Sequence, residues 1–208
     1  TLVGGSGTGD DVLKGGAAAD TITGGAAVDT ITGNGGIDTI TGGAGDDIIT
    51  GGAGNDIITV DAGKDTVLDL GGSGGSESDV VIVNSGATLD ATGIAGFTAT
   101  NVTTNKSTDA TKATLTAKAD AAVTIDVSGA KSDSNGWTLV GGSGTGDDVL
   151  KGGAAVDIIT GGAAADTITG NGGDDTITGG AGDDIITGGT GNDIITVDAG
   201  KDTVLDLG

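Results

Sequence analysis

The sequence predicts an all-β fold: a right-handed parallel β-roll, or β-solenoid, with two rolls joined by a β-rich linker segment. Three observations predict it. A nine-residue repeat runs through most of the chain, 46 of the 208 residues are Gly, and the aromatic side chains are limited to Phe97 and Trp137. A rounded core depends on aromatic and Met side chains for volume. A thin coil of stacked layers can instead be filled by Ile, Val, Leu and Ala.

The repeat unit is a nonapeptide such as GGAGDDIIT at 42–50, and seven consecutive units fill residues 6–68. The first six positions of each unit are rich in Gly, which turns at positive φ without penalty. The last three favour a short strand whose side chains alternate out, in and out. A turn and a strand in every unit predict a flattened coil with two units per turn, in which the eighth-position aliphatic residues stack inside.

A second, longer repeat divides the chain into domains. Residues 138–208 repeat residues 1–71 with five differences, so a second set of nonapeptides covers 143–205. We therefore expect a first roll at 1–82, whose last unit at 74–82 is degraded, a Thr- and Ala-rich linker at 83–137, and a second roll at 138–208. Alternating stretches such as ATLTA at 113–117 predict strands in the linker. These strands either continue the solenoid or form a small sandwich.

The sixth position of every nonapeptide is Asp. With two units per coil, unit n lies above unit n+2, so these aspartates form columns with a spacing of roughly 4.8 Å. The candidate metal ligands are Asp11, Asp20, Asp29, Asp38, Asp47, Asp56, Asp65, Asp148, Asp157, Asp166, Asp175, Asp184, Asp193 and Asp202.

Such columns require a cation. Neighbouring carboxylates at this spacing repel by about 3.5 kcal/mol at an effective dielectric constant of 20. Ca²⁺ accepts six to eight oxygen ligands in adaptable geometry, whereas Mg²⁺ demands a near-ideal octahedron and retains its waters. Seven loops in each roll provide five n/n+2 pairs, so about ten Ca²⁺ ions would bind if every pair were filled. Their charge of +20 would nearly balance the net charge of −22.

The nonapeptides resemble the RTX, or haemolysin-type, calcium-binding repeat, G-G-x-G-x-D-x-aliphatic-x. The resemblance covers residues 6–68, 74–82 and 143–205. It implies that each ion lies between neighbouring loops, bound by sixth-position carboxylates and by carbonyl groups near positions two and four. The fourth-position carbonyls would include those of Gly45, Gly54, Gly182 and Gly191. The resemblance also implies type I secretion, with the chain unfolded in the calcium-poor cytosol and folding outside the cell.

Several loops depart from this pattern. The fourth position is Ala at Ala18, Ala27, Ala155 and Ala164. A left-handed conformation there would cost each Ala roughly 1 kcal/mol, so we expect these loops to bind Ca²⁺ more weakly or to adopt another turn. Asn34 and Asn171 replace the second Gly, and Asn tolerates the left-handed region. Glu77 stands at the fourth position of the degraded unit, which makes a site at Asp79 doubtful.

Composition excludes several classes of function. Thirty acidic residues against eight basic ones disfavour binding to nucleic acid and to anionic membranes. No apolar run is long enough to span a membrane. The chain lacks His, Cys and Tyr, and nothing distinguishes one Asp as catalytic. The Gly-rich GGSGTGDD lacks the Lys of a phosphate-binding loop. We therefore predict neither an enzyme nor a binder of small-molecule substrates.

The remaining functions are structural. We expect a secreted protein of the bacterial cell surface that self-associates end to end or laterally in a surface layer, filament or biofilm matrix. The alternatives are a calcium-stiffened stalk of a large adhesin and a C-terminal secretion module of an RTX enzyme or toxin. Rows of outward Thr also resemble ice-binding faces, but Ile48, Ile57, Ile158, Ile185 and Ile194 interrupt them.

Overall fold

The fold is a stack of parallel strands. A computed structural model describes residues 1–71, 78–85, 87–99, 103–106, 113–117, 119, 121–131 and 135–206. Within these residues all 22 strands lie in three parallel sheets, which confirms the predicted all-β parallel roll. No helix of the length and apolarity needed to cross a membrane is found in the part of the chain that the structure describes.

The first sheet has six strands, all from the first roll and the linker. They are β1 (Leu2–Val3), β3 (Thr21–Ala26), β5 (Thr39–Ala44), β7 (Ile57–Val60), β9 (Val80–Val83) and β12 (Thr104–Asn105). The third sheet also has six strands, from the linker and the second roll. They are β11 (Phe97–Thr98), β14 (Thr124–Asp126), β16 (Val149–Lys151), β18 (Thr167–Gly172), β20 (Ile185–Thr190) and β22 (Thr203–Asp206).

The ten-stranded second sheet runs through both rolls and the linker between them. Its strands are β2 (Val12–Lys14), β4 (Thr30–Gly35), β6 (Ile48–Ala53), β8 (Gly63–Val67), β10 (Ala87–Ile94), β13 (Ala113–Ala117), β15 (Thr138–Val140), β17 (Ile158–Ala163), β19 (Thr176–Ala181) and β21 (Ile194–Thr196). The pairing of β8 with β10, of β10 with β13 and of β13 with β15 carries the solenoid across the linker.

The strand register follows the period of nine. Strand β3 pairs with β5 and β5 with β7, so Ile22, Ile40 and Ile58 stack at intervals of 18 residues, which is two repeats. All three side chains are fully buried, whereas the preceding seventh-position residues face outward. The out-in-out alternation and the two repeats per coil were therefore predicted correctly.

The strands are longer than the sequence predicts. We expected three-residue strands and six-residue turns, but most repeat strands extend for six residues, from position seven to position three of the next unit, as in Thr21–Ala26. Gly25 pairs with Gly43 and Ala26 with Ala44 on the next level. Gly has a low intrinsic propensity for β-strands. Stacking of identical loops in register overrides this low propensity.

The two aromatic residues lie in the core of the linker region. Phe97 and Trp137 are both buried, so both side chains fill the interior. Trp137 precedes β15, which pairs with β13 of the linker and with β17 of the second roll. The largest side chain of the molecule therefore lies where the linker meets the second roll.

Candidate metal centre

The sixth-position aspartates form the predicted columns. In the first roll, for example, Asp11, Asp29, Asp47 and Asp65 follow one another at intervals of 18 residues. Each backbone N–H donates to Oδ1 of the next Asp in the column at 2.8 to 3.0 Å. The same contact joins Asp166 to Asp184 in the second roll, at 2.9 Å. Because this hydrogen bond joins one coil to the next, it holds the carboxylate group in a fixed orientation within the solenoid.

Most of these carboxylates are removed from solvent. The buried members of the columns are Asp29, Asp38, Asp47, Asp56, Asp65, Asp148, Asp157, Asp166, Asp175 and Asp184. Asp11, Asp20, Asp193 and Asp202 are partly exposed. The structure therefore places all fourteen predicted residues in columns, with the most accessible ones at the outer coils.

The second carboxylate oxygen is the unusual feature. In the repeated loops Oδ2 is buried and has no hydrogen-bond partner at Asp29, Asp38, Asp47, Asp65, Asp166, Asp175, Asp184 and Asp193. A buried acceptor without a partner costs about 1–3 kcal/mol, and more when it is charged. A row of such atoms therefore requires protons or cations.

Burial also changes the acidity of these groups. It raises the pKa of Asp65 and Asp166 to about 6 and of Asp175 to about 7, and neighbouring carboxylates add to the effect. Asp47 and Asp184 have raised pKa values for the same reasons. Without a bound cation, these five carboxylates therefore retain protons more strongly than free aspartate does.

The first-position Gly makes room for the carboxylate. A Cβ at Gly42 would lie 2.6 Å from Oδ2 of Asp47, and a Cβ at Gly161 would lie 2.6 Å from Oδ2 of Asp166. Real side chains do not approach an oxygen so closely. Where a nonapeptide opens with Gly, that Gly is therefore needed because the Asp five residues later folds back over it.

The second and fourth positions bend the loop in the left-handed region. Gly45, Gly54, Gly182 and Gly191 have φ values from 130° to 138°. Asn34 and Asn171 adopt φ values of 76° and 75° at the second position, which confirms that Asn is accommodated there. A Cβ at Gly24 would collide with the carbonyl oxygen of Gly42 and would lie 2.5 Å from Oδ2 of Asp29, so carbonyl oxygens lie beside the carboxylates in these loops.

The fourth-position Ala residues divide into two pairs, and one pair adopts another turn, as we expected. Ala27 and Ala164 adopt positive φ, at 89° and 80°, whereas Ala18 and Ala155 do not. The loops of Ala18 and Ala155 therefore use another turn. Glu77, the other expected departure, lies outside the described residues, and the nearby Asp79 accepts hydrogen bonds from the backbone N–H groups of Asp56 and Gly71.

Sequence reasoning missed a second set of contacts, made by the fifth-position residue, which precedes each column aspartate. The Oδ1 atoms of Asp46, Asp174 and Asp183 accept the backbone N–H of the fifth-position residue two units later, at 2.8 to 2.9 Å. The longer contacts of Asp10 and Asp147 follow the same pattern. The signal was present as Asp-Asp at positions five and six. These side chains cap the outer turn and do not enter the columns.

The ligand chemistry fits a hard cation. The described residues contain no cluster of three or more His, Cys, Asp or Glu side chains that could hold a metal, so a cation between two loops would need backbone carbonyl groups in addition to two carboxylates. All of these donors are oxygen, which Ca²⁺ prefers and which does not favour softer metals. The buried, unpartnered Oδ2 atoms show that the loops fit such an ion.

Comparison with known proteins agrees with this chemistry. A family profile described as the RTX calcium-binding nonapeptide repeat matches four times, at residues 5–40, 32–67, 142–177 and 169–204. No curated protein gives a significant match to the chain. The four matches together cover more than half of the sequence and coincide with the loops that carry the aspartate columns. The chain therefore belongs to the RTX calcium-binding nonapeptide repeat family.

Proposed function

We propose that this chain is a calcium-binding structural module of the bacterial cell surface, whose rolls fold and stiffen on Ca²⁺ to build a surface layer, an extracellular filament or a biofilm matrix. Proteins of the RTX repeat family are typically exported by type I secretion. The observation that carries the proposal is the row of buried Oδ2 atoms without partners. The family match concerns calcium-binding repeats alone, so the absence of enzymatic activity stays a prediction.

The same row of oxygens supports the proposal that folding depends on calcium. At neutral pH without Ca²⁺, folding must bury carboxylates whose neighbours in the column are also acidic, as the raised pKa of Asp175 indicates. A cation between successive loops replaces that repulsion with attraction and supplies the missing partner for Oδ2. Because the ligands come together only in the folded chain, the binding free energy of Ca²⁺ becomes folding free energy. The chain would thus remain unfolded in a calcium-poor cytosol and fold after export.

A structural role is supported by the way in which the rolls are joined. Strand β8 of the first roll is followed in one sheet by β10, β13 and β15, and β15 then pairs with β17 of the second roll. Further units can therefore be added to such a solenoid with the same strand pairing. A continuous parallel stack of this kind forms a stiff rod, which suits a lattice, a filament or a stalk.

Apolar side chains on the sides of the coil support self-association of such rods. The seventh-position residues Ile48, Ile57 and Ile185 are all exposed. The proposal includes both lateral and end-to-end contacts, and these exposed side chains support the lateral ones, which favour assembly over an isolated adhesin stalk.

The proposal is tested by adding Ca²⁺ to EDTA-treated protein, with Mg²⁺ as the control ion. We expect far-UV circular dichroism to show a cooperative transition to β-structure at about 0.1–1 mM Ca²⁺ and none with Mg²⁺. Analytical ultracentrifugation and negative-stain electron microscopy of the calcium form then separate the roles. Filaments or sheets would support assembly, and monomeric rods would favour the adhesin stalk. Complete β-structure in EDTA, unchanged by Ca²⁺, would remove the basis for both.

A further inference from the structure

Identical loop sequences adopt two different conformations in this molecule. The hexapeptide GGAAVD occurs at 24–29 and again at 152–157. In the first occurrence Oδ2 of Asp29 is buried without a partner. In the second, Oδ2 of Asp157 accepts the backbone N–H of Gly153 at 2.6 Å, and Oδ1 accepts the backbone N–H of Trp137, also at 2.6 Å. The same six residues thus leave Oδ2 of Asp29 without a partner, whereas both oxygens of Asp157 accept a hydrogen bond.

The difference lies in the backbone of the loop. At 24–29, Gly25 and Ala27 have positive φ, whereas neither Gly153 nor Ala155 does. Without the left-handed turn, the N–H group of the second-position Gly points at the carboxylate of its own loop. This backbone group then takes the place that a cation would otherwise fill.

A second pair of identical hexapeptides shows the same difference in hydrogen bonding. GGAAAD occurs at 15–20 and at 161–166. Oδ2 of Asp20 accepts the backbone N–H of Gly16 at 2.7 Å, whereas Oδ2 of Asp166 has no partner. The loop with the hydrogen bond is the second loop of its roll in both pairs, and the loop without it is the third. Location in the solenoid, and not the hexapeptide sequence, therefore sets the conformation.

The underlying coil provides the physical reason. Third loops stack on first loops: a Cβ at Gly25 or at Gly162 would collide with the backbone carbonyl of Gly5 or of Gly142. The second loop of the second roll lies instead over the linker. The closest backbone atom to a Cβ at Gly153 is the carbonyl oxygen of Val127 in the linker, at 3.6 Å. This second loop is therefore free to keep the turn that satisfies its own carboxylate.

The first loops have the sequence GGSGTGDD, at 4–11 and 141–148, which is two residues longer than the later hexapeptides. Their aspartates also accept a backbone N–H of their own loop. Oδ2 of Asp11 accepts the N–H of Gly5 at 2.7 Å, and Oδ2 of Asp148 accepts the N–H of Gly142 at 2.6 Å. In addition, Oδ1 of Asp148 accepts the N–H of Val123 in the linker at 2.9 Å. Asp148 and Asp157 thus each accept two backbone N–H groups, one of which comes from the linker.

We propose that the first two aspartates of each roll do not bind calcium and instead act as metal-free clamps. The calcium-binding part of each aspartate column then begins at the third loop or beyond it. The clamp residues are Asp11, Asp20, Asp148 and Asp157. They occur in four of the ten n/n+2 pairs, so six pairs remain for ions. The proposal rests on the proposed function, because it divides one set of aspartates into calcium ligands and structural clamps. Its consequence is that the second roll is attached to the linker without metal.

The identical hexapeptides provide a matched test in the full-length chain, D157N against D29N. Each substitution removes one carboxylate from the same local sequence. The wild-type protein should bind about six Ca²⁺ ions in equilibrium dialysis. D29N should bind fewer ions and fold at a Ca²⁺ concentration roughly tenfold higher, because a charged ligand is lost. D157N should keep the wild-type ion number, but it should melt at a lower temperature in saturating Ca²⁺ because one of the N–H groups of Gly153 and Trp137 loses its acceptor.

A second pair, D20N against D166N, repeats the comparison on GGAAAD and covers the case in which one variant fails to fold. A wild-type ion number near ten, or an equal loss of ions in D157N and D29N, would overturn the clamp while leaving the calcium-dependent module intact. No Ca²⁺ binding by the wild-type protein would overturn both proposals.

Discussion

The backbone N–H of Asp29 donates to Oδ1 of Asp47, 18 residues later, at 2.8 Å. This contact gives the two oxygens of Asp47 different roles. Oδ1 is used to join one coil to the next, and Oδ2 remains buried over the first Gly of its own loop. One half of the carboxylate therefore maintains the register of the solenoid, and the other half is left for a cation. The fold and the candidate site are consequently built from the same residues.

The interior isoleucines should dominate stability. Ile58 is fully buried and pairs with Ile40 and Val81, whereas the adjacent Ile57 is 36% exposed. Ile58→Ala should reduce the free energy of unfolding in Ca²⁺ by about 2–5 kcal/mol, since it leaves a cavity that the stacked coils cannot close. Ile57→Ala, the control, should cost less than about 1 kcal/mol. Urea denaturation measures both values, and equal losses would show that the core does not lie where the structure places it.

Close stacking of the loops should make Gly54 costly to replace. Gly54 has a φ of 130°, and a Cβ there would collide with the carbonyl oxygen of Gly36 on the level below. Gly54→Ala should therefore cost about 1–3 kcal/mol in strain and raise the Ca²⁺ concentration needed for folding. Gly7→Ala is the control, because a Cβ at Gly7 meets no atom within 4 Å. A circular dichroism titration in which both variants fold at the wild-type Ca²⁺ midpoint would contradict the stacked-loop geometry.

The periodic part of the structure could be predicted from sequence because each position has one recurring environment. The 18-residue register, the buried eighth position and the aspartate columns all follow from a period of nine with two units per coil. The conformation of an individual loop could not be predicted in this way. GGAAVD at 24–29 and at 152–157 has one sequence and two backbone conformations, because the turn depends on whether another nonapeptide loop lies beneath it.

The fifth-position carboxylates should stabilise the fold by hydrogen bonding, independently of metal. Oδ1 of Asp46 accepts the N–H of Lys64 at 2.9 Å, and Asn55 makes the equivalent contact with Ser78. Asn is therefore a natural replacement at this position. Asp46→Asn should retain wild-type stability and ion number, whereas Asp46→Ala should lose about 0.5–1.5 kcal/mol. Loss of a bound Ca²⁺ ion in Asp46→Asn, measured by equilibrium dialysis, would instead assign Asp46 to the metal site.

Without calcium, the protein should become more stable as the pH falls. Burial raises the pKa of Asp65 and Asp166 to about 6 and of Asp175 to about 7, from 3.8. The folded state therefore binds more protons than the unfolded state does between about pH 4 and pH 7, so the stabilisation is complete below about pH 4 and is lost as the pH rises through 6 to 7. In EDTA, circular dichroism should show β-structure increasing from pH 7.5 to pH 4.5.

Calcium should reverse this pH dependence. Ca²⁺ requires the ionised carboxylate, so binding at pH 6 must displace protons from groups such as Asp175, whose pKa is about 7. The Ca²⁺ concentration at the folding midpoint should consequently fall as the pH rises from 5.5 to 7.5, and proton release should accompany binding in a weakly buffered titration. Protons and Ca²⁺ would then be alternative partners for the same Oδ2 atoms. A midpoint that does not change with pH, together with β-structure in EDTA that does not change with pH, would show that these carboxylates are not buried in the folded state.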